Sequence, residues 1–143
     1  MEHKKTVRII ISVLLAAAVI IFLITTITSA DEPSGNTPED IIAFLSENGY
    51  TVSSPVTKEI TIPEEFSDVY ENYNKLQKKQ DFNLEKYKGR SAVSYTFSVI
   101  GYINESGEPE NNVEAHIIVC DGRIIGGDIA STRLNGFMKP IRE

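Results

Sequence analysis

The fold of this 143-residue chain is decided by residues 113–129, which read VEAHIIVCDGRIIGGDI. Val113 to Cys120 is rich in residues that favour strands, and Arg123 to Ile129 has the same character. The pair Asp121-Gly122 between these two runs is a strong signal for a two-residue hairpin turn. Gly126-Gly127 interrupts the second run, which predicts a bulge or a closely approaching neighbour. Residues 113–129 therefore predict a β-hairpin.

Further strands are predicted before this hairpin. Val93 to Val99, VSYTFSV, alternates large apolar and small polar side chains, as a half-buried strand does. Residues 104–112 form a polar loop between this strand and the hairpin. Tyr50 to Ile62 also favours extended chain, but Pro55 interrupts it, which predicts an edge strand or two short pieces broken at the proline. Residues 81–89 are predicted to be an irregular or single-turn connection.

Two helices complete the predicted fold. The first is capped by the hydroxyl of Thr37, has Pro38 in its first turn and ends at Asn48-Gly49. The second begins at Pro63, with carboxylates in its first turn and lysines in its last, which complements the helix dipole. Its apolar stripe consists of Phe66, Val69, Tyr70, Tyr73 and Leu76. The order α-β-α-β-β-β predicts an α+β domain, a small antiparallel sheet packed against two helices that share one face.

The amino terminus predicts a transmembrane helix. Residues 9–27, IIISVLLAAAVIIFLITTI, carry no charge. A helix of this length spans about 28 Å, close to the ~30 Å hydrocarbon core of a bilayer. The basic residues Lys4, Lys5 and Arg8 precede the run, and acidic residues follow it. The positive-inside rule therefore places the amino terminus in the cytoplasm.

This topology divides the chain into four parts. Residues 1–8 are a cytoplasmic basic tail, residues 9–27 cross the membrane, residues 28–36 are a linker, and residues 37–143 form the extracytoplasmic α+β domain. The expected localisation is the cell membrane, as a single-pass protein. A signal peptide cleaved after Ala30 is the alternative, because small residues precede that position. The length of the apolar run favours a retained anchor.

Composition excludes several classes of function. The chain has 20 acidic and 14 basic residues, a net charge of −6, and part of the basic set precedes the apolar run. The outer part is therefore acidic and repels phosphate, so nucleic acid is not an expected partner. One cysteine excludes an internal disulfide framework and a cysteine-based zinc cage. The absence of tryptophan removes the commonest stacking platform for sugars.

Cys120 and His116 form the first pair to consider as nucleophile and base. They lie four residues apart on one predicted strand, which separates their backbones by about 13 Å. The predicted turn places Cys120 opposite Arg123 and His116 opposite Gly127. At this separation the two side chains cannot form a hydrogen bond and cannot act as nucleophile and base. With this pair excluded, no catalytic residue, metal site or cofactor is expected.

The hairpin is the remaining candidate site. His116 with Glu114 or Asp128 would make at most a weak two-ligand metal contact, and a solvent-facing strand histidine is the simpler interpretation. A packing role is favoured over recognition for the glycine pair. The candidate interaction residues of the hairpin are Asp121, Gly122, Gly126, Gly127 and Asp128.

Four stretches of the chain resemble a known family. They are TIPEEFSDVYENYNKLQKKQ (61–80), DFNLEKYKG (81–89), VSYTFSV (93–99) and DGRIIGGDI (121–129). With the first helix, they resemble the domain of unknown function 4830 family, small membrane-anchored proteins of Firmicutes-type bacteria. The resemblance covers roughly residues 38–138, with Asp81 where a glycine is expected. It implies an extracytoplasmic bacterial domain without an assigned activity, and it supplies no catalytic residue.

The anchor, the acidic domain and the missing catalytic set favour a non-enzymatic binding or interaction module. Its expected partners are the membrane, through residues 9–27, and an envelope protein. One alternative is an accessory single-pass subunit of a larger envelope complex, since Leu14 to Ala18 offers small residues to a neighbouring helix. The other is an enzyme that uses Cys120.

Overall fold

The computed structural model of the chain describes residues 32–142. The predicted basic tail (1–8) and membrane helix (9–27) lie outside the described residues, as do residues 28–31 of the predicted linker. Within residues 32–142, no helix is long and apolar enough to span a membrane.

The described part is an antiparallel sheet with two helices, which confirms the predicted α+β class. Its elements are α1 (Pro38–Glu47), β1 (Thr51–Val52), β2 (Val56–Thr61), α2 (Asp68–Lys78), a 3₁₀ helix (Leu84–Tyr87), β3 (Ser91–Ile100), β4 (Val113–Cys120), β5 (Arg123–Ser131) and β6 (Met138–Lys139). The strands follow the order β1-β3-β4-β5-β6, and β2 also pairs with β3. Because β1 and β2 pair with successive parts of β3, they form one edge that is interrupted at Pro55, as predicted.

The first helix begins as the sequence predicts. The hydroxyl of Thr37 accepts a hydrogen bond from the Asp40 amide at 3.2 Å, and the Asp40 carboxylate accepts one from the Thr37 amide at 3.3 Å. This reciprocal pair is a capping box. Gly49 follows the helix with a φ of 88°, a left-handed conformation that suits glycine.

The second helix begins at Asp68, so its predicted start at Pro63 is wrong. Ile62 continues the extended path of β2, because its amide donates to the Arg90 carbonyl at 2.9 Å. The chain becomes helical only after Ser67, whose hydroxyl caps the first turn.

The two helices lie on opposite faces of the sheet, which corrects the expectation that they share one face. Successive residues of a strand point to opposite sides. Ala115 and Ile117 of β4 belong to the apolar cluster that contains α1 residues, whereas Ile118 and Cys120 belong to the cluster beside α2. β4 is thus apolar on both sides toward its end, and each side needs a cover. Val69 of the predicted stripe is 79% exposed and belongs to neither cluster.

The connection after α2 crosses from one face to the other. Phe82 packs with Phe44 of α1, their ring centroids 6.4 Å apart, while Leu84 and Tyr87 pack on the α2 side. All three predicted plugs of this segment are buried. The prediction of a single-turn connection is confirmed by the 3₁₀ helix.

The turn between β4 and β5 has the predicted form. Asp121 and Gly122 have φ values of 49° and 71°, as a type I′ turn requires, and Cys120 pairs with Arg123.

A bulge then shifts the register of this hairpin. Ile125 is the extra residue and has no partner on β4. From Ile118 back to Val113, each β4 residue therefore lies opposite the β5 residue one position later than in a regular hairpin. His116 therefore lies opposite Asp128, and the expected pairing of His116 with Gly127 is wrong.

The outer edge of β5 is bordered by three different segments. Near its start, residues 33–35 pair with residues 122–124. Near its end, β6 pairs with Ile129 and Ala130. The third segment, two glutamines from the end of α2, lies between them.

These glutamines, Gln77 and Gln80, take the place of a neighbouring strand. The amide of Gly127 donates to Gln77 Oε1 at 2.8 Å, and Gln80 Nε2 donates to the Gly127 carbonyl at 2.7 Å. Gln80 Oε1 accepts from the Ile141 amide at 2.9 Å. Both side chains are buried, so their amides supply the bonds that the backbone of β5 would otherwise lack.

Candidate functional site

An open groove lies beside the tip of the β4–β5 hairpin. It has a volume of about 880 Å³ and is on the α1 face of the sheet, where β2, β3 and β4 are not covered by the helix. The hairpin residues Asp121 and Gly122 line it on one side with Gly35 and Asn36, and β2 lines it on the other. The groove therefore contains two of the five residues that the sequence predicts as a site.

The lining of the groove combines apolar and acidic residues. Its apolar members are Ile60, Ala92, Val93, Tyr95 and Val119, and Glu59 and Asp121 carry its carboxylates. Asp121 forms an ion pair with Arg90 in which both side chains are well exposed. An exposed pair of this kind contributes little to stability, so a charged ligand can compete with Arg90 for Asp121.

The other three predicted residues lie away from the groove. A Cβ atom on Gly126 would be 3.0 Å from Gln77 Oε1. A Cβ atom on Gly127 would overlap the carbonyl of His116 and the side chain of Ile141. The structure thus places the glycine pair in the packing between β5 and its neighbours.

Asp128 belongs to a different constellation, a hydrogen-bonded network on the α2 face. Asp128 is 2% exposed, and its two carboxylate oxygens serve two partners. The Tyr73 hydroxyl donates to Oδ1 at 2.7 Å, and His116 Nδ1 lies 3.0 Å from Oδ2. On the other side of the ring, His116 Nε2 lies 3.2 Å from Glu114 Oε2.

The charges of this network shift the pKa of two members. The hydrogen bond to Asp128 raises the pKa of His116 above its ordinary value, against the opposing effect of burial. Burial, together with the charge of Asp128, raises the pKa of Tyr73 well above its ordinary value. Tyr73 therefore stays a hydrogen-bond donor to Asp128, and His116 holds its proton more tightly than a free imidazole does.

This arrangement orients an imidazole without supplying a nucleophile. A carboxylate on Nδ1 sets the tautomer and direction of a histidine ring, as in many catalytic and metal sites. Cys120, however, is buried and its Sγ donates to the Ser91 carbonyl at 3.4 Å. Among residues 32–142, no group of three or more His, Cys, Asp and Glu side chains is placed to hold a metal ion.

The sequence analysis considered His116 with Glu114 or Asp128 only as a weak metal contact and did not predict this hydrogen-bonded network, because it assumed a regular hairpin. In that register Asp128 points to the α1 face, away from His116. The signal that corrects it is the pair Gly126-Gly127, which predicts a bulge. A shift by one residue at that bulge brings Asp128 opposite His116.

The fold and the site define a class: a small α+β domain in which one antiparallel sheet lies between two helices beside an open, acid-rimmed groove. A family model described as Domain of unknown function (DUF4830) matches residues 44–129. The chain therefore belongs to the domain of unknown function 4830 family. No curated protein and no solved structure matches the chain.

Proposed function

We propose that this chain is a membrane-anchored, extracytoplasmic binding module that contacts its partner through the groove beside the hairpin. The observation that carries this proposal is the groove itself. Its volume of about 880 Å³ lies within the ~300–1,000 Å³ range of ligand sites, and its lining combines apolar residues with polar and charged ones.

The wall of the groove also supports a binding role. The segment that precedes α1 forms part of it, because the Gly35 amide donates to the Gly122 carbonyl at 2.9 Å. Gly122 has a left-handed φ of 71°, and the side chain of Asn36 lies so close to it that a Cβ atom would not fit. A wall that is fixed before a ligand arrives reduces the entropy lost on binding.

The anchor part of the proposal rests on the sequence. Residues 9–27 are uncharged and long enough to span a bilayer, and the flanking charges favour a cytoplasmic amino terminus. A reporter fused after residue 143 is expected to be active only outside the cytoplasm, with the protein resistant to carbonate extraction. Activity of the reporter inside the cell contradicts the topology, and a mature amino terminus at Asp31 contradicts the anchor alone.

The binding part is tested by crosslinking in the cell envelope. We expect Glu59→Lys to lose the crosslinked partner, because the substitution reverses the charge at this point of the groove rim. The melting temperature should stay unchanged, because Glu59 is exposed. Glu108→Lys is the matched control, since Glu108 is also exposed but lies in the loop at the opposite end of the sheet. Retention of the same partner by both variants contradicts the proposal.

The His116–Asp128 pair favours a second candidate, an enzyme in which neutral His116, at a pH above its raised pKa and with Nε2 released from Glu114, acts as a general base toward water. The arrangement resembles the carboxylate–histidine half of hydrolytic sites. This candidate expects ester hydrolysis to fall in Asp128→Asn, which loses the correct tautomer, and to persist in Cys120→Ser. If the wild type and both variants hydrolyse the ester only as fast as free imidazole, this candidate is wrong. If hydrolysis is lost in Cys120→Ser alone, the result favours an enzyme that uses the thiol of Cys120.

The accessory-subunit alternative predicts a different partner surface. In that case the contacts lie in residues 9–27, and replacement of these residues by an unrelated membrane helix abolishes the crosslink. The groove proposal expects the crosslink to survive this replacement.

A further inference from the structure

The outer edge of β2 is exposed and has backbone hydrogen-bonding groups that are unpaired within residues 32–142. β2 ends the sheet, and no strand of the described part pairs with its outer side. Five of its six residues are exposed. The backbone N–H and C=O groups of Ile62 point inward, toward Arg90 and Gly89. Because the backbone groups of successive residues in an antiparallel edge strand point alternately inward and outward, those of Thr61, Glu59 and Thr57 point outward.

This edge is adjacent to the groove and carries two uncompensated charges. Glu59 pairs with Val93, which lies in the groove, so its carboxylate is on the groove side of the sheet. Lys58 points to the opposite face. Neither side chain has an ion-pair partner among residues 32–142.

A second copy of this chain does not fit the edge. In a symmetric antiparallel pair each face of one sheet continues the same face of the other, so opposite residues must point the same way. Five of the six β2 residues can then pair in two ways. In one register Lys58 lies opposite Lys58 of the other copy, and in the other register Glu59 lies opposite Glu59. Like charges in that position destabilise a strand pair.

We infer that the partner that contacts the groove is an extended segment of another protein, which adds to the outer edge of β2 as an antiparallel strand and directs alternate side chains toward the groove side of the sheet. It has a basic residue opposite Glu59, on the groove side, and an acidic residue opposite Lys58. Backbone hydrogen bonds to the outward groups hold the segment, and the two charge pairs set its register and exclude self-pairing. The inference rests on the proposed function, because it names the partner class for that groove.

The experiment uses the full chain in lipid nanodiscs and two labelled peptides. One peptide contains TVKETV, which in antiparallel register places its lysine opposite Glu59 and its glutamate opposite Lys58. The other contains TVEKTV, in which both pairs become repulsive. We expect the first peptide to bind about fivefold or more tightly than the second, because two cross-strand charge pairs change sign.

A charge-swapped protein is the matched control. In Lys58→Glu/Glu59→Lys the preference between the two peptides should reverse, while the melting temperature stays unchanged because both side chains are exposed. A TVKETV peptide that is N-methylated at alternate amides, those that face β2, should not bind. Hydrogen exchange at Thr57, Glu59 and Thr61 should slow when the unmodified peptide is present.

Equal binding of the two peptides, binding of the methylated peptide, or no binding of either overturns the inference. Tight binding of a VTKEIT peptide, the sequence of β2 itself, assigns the edge to a second copy and also overturns it. If the peptides fail while the crosslinked partner is still lost in Glu59→Lys, strand addition is wrong and the groove proposal stands. Failure of the crosslinking result as well contradicts both.

Discussion

The two sides of this sheet end in different ways. β5 is bordered by residues 33–35, by the amides of Gln77 and Gln80, and by β6. On the other side, β2 is exposed and protected by the charges of Lys58 and Glu59. Hydrogen bonds from backbone and side-chain groups of the same chain close the first side, whereas no strand of the described part covers the second. If the proposed function is correct, stability and recognition are assigned to opposite sides of one sheet.

The largest expected effect is on the closed side. Gln80→Leu leaves the Gly127 carbonyl and the Ile141 amide buried without partners, at about 1–3 kcal/mol each. We expect the free energy of unfolding in urea to fall by about 4 kcal/mol. Lys79→Ala, at the exposed neighbouring position, should change it by less than about 0.5 kcal/mol. A loss below about 1 kcal/mol in Gln80→Leu would mean that the glutamine does not close this edge.

The glycine pair gives the next effect. Gly127→Ala introduces a methyl group against the rigid His116 carbonyl, whereas Gly126→Ala meets side-chain atoms that can move slightly. Overpacking costs about 1–3 kcal/mol, so we expect about 3 kcal/mol for Gly127→Ala and about 1 kcal/mol for Gly126→Ala. Thermal and urea unfolding measure both. Equal losses would contradict this account of the closed side.

The closed side should also respond to pH. Asp128 is the one buried carboxylate among the described residues, and the hydrogen bond to it raises the pKa of His116. A histidine whose pKa is higher when folded contributes its full stabilisation below its unfolded value of about 6.5, and loses it as the pH rises through the folded value.

We therefore expect the difference in unfolding free energy between the wild type and His116→Gln to be constant in acid and to shrink above pH 6.5. Urea unfolding between pH 5 and pH 9 measures it. Asp128→Asn should weaken this pH dependence, because it removes the main cause of the shift. A difference that grows with pH would contradict the assigned protonation state.

The smallest effect on stability is expected at the open edge. Lys58→Val/Glu59→Val should change the free energy of unfolding by less than about 0.5 kcal/mol, since both side chains are exposed. It should increase self-association in sedimentation experiments, because no charge then opposes the pairing of two β2 strands. The charge-swapped Lys58→Glu/Glu59→Lys keeps like charges opposite each other and should associate no more than the wild type. Equal behaviour of the two variants would mean that charge does not guard this edge.

Local signals predicted the elements that depend on local chemistry. The caps of α1, the type I′ turn at Asp121-Gly122 and the interruption at Pro55 each follow from the preferences of one or two residues. The start of α2 did not, because the pairing of Ile62 with Arg90 overrides the helix-starting tendency of Pro63. This competition is between a strand and a helix, and residues distant in sequence decide it.

Three other features depend on the whole sheet. The consecutive apolar residues Ile117 and Ile118 indicate that both faces are buried, yet the sequence analysis put both helices on one side. β6 has two residues and no periodicity to read. The His116–Asp128 contact needed the exact position of a bulge, which the glycine pair indicates only to within a residue or two.

The position of Gln80 has a consequence for how the domain is made. Its side chain joins β5 to Ile141, and its backbone carbonyl accepts two hydrogen bonds from the guanidinium of Arg142, at 2.9 and 2.7 Å. Residues 33–35 border the same strand from the other end of the domain. A nascent chain that has not yet released residues 141 and 142 therefore leaves this strand incompletely covered, whatever else has folded. Release of residues 141 and 142 from the ribosome, rather than collapse of the core, is the step that closes this edge of the sheet.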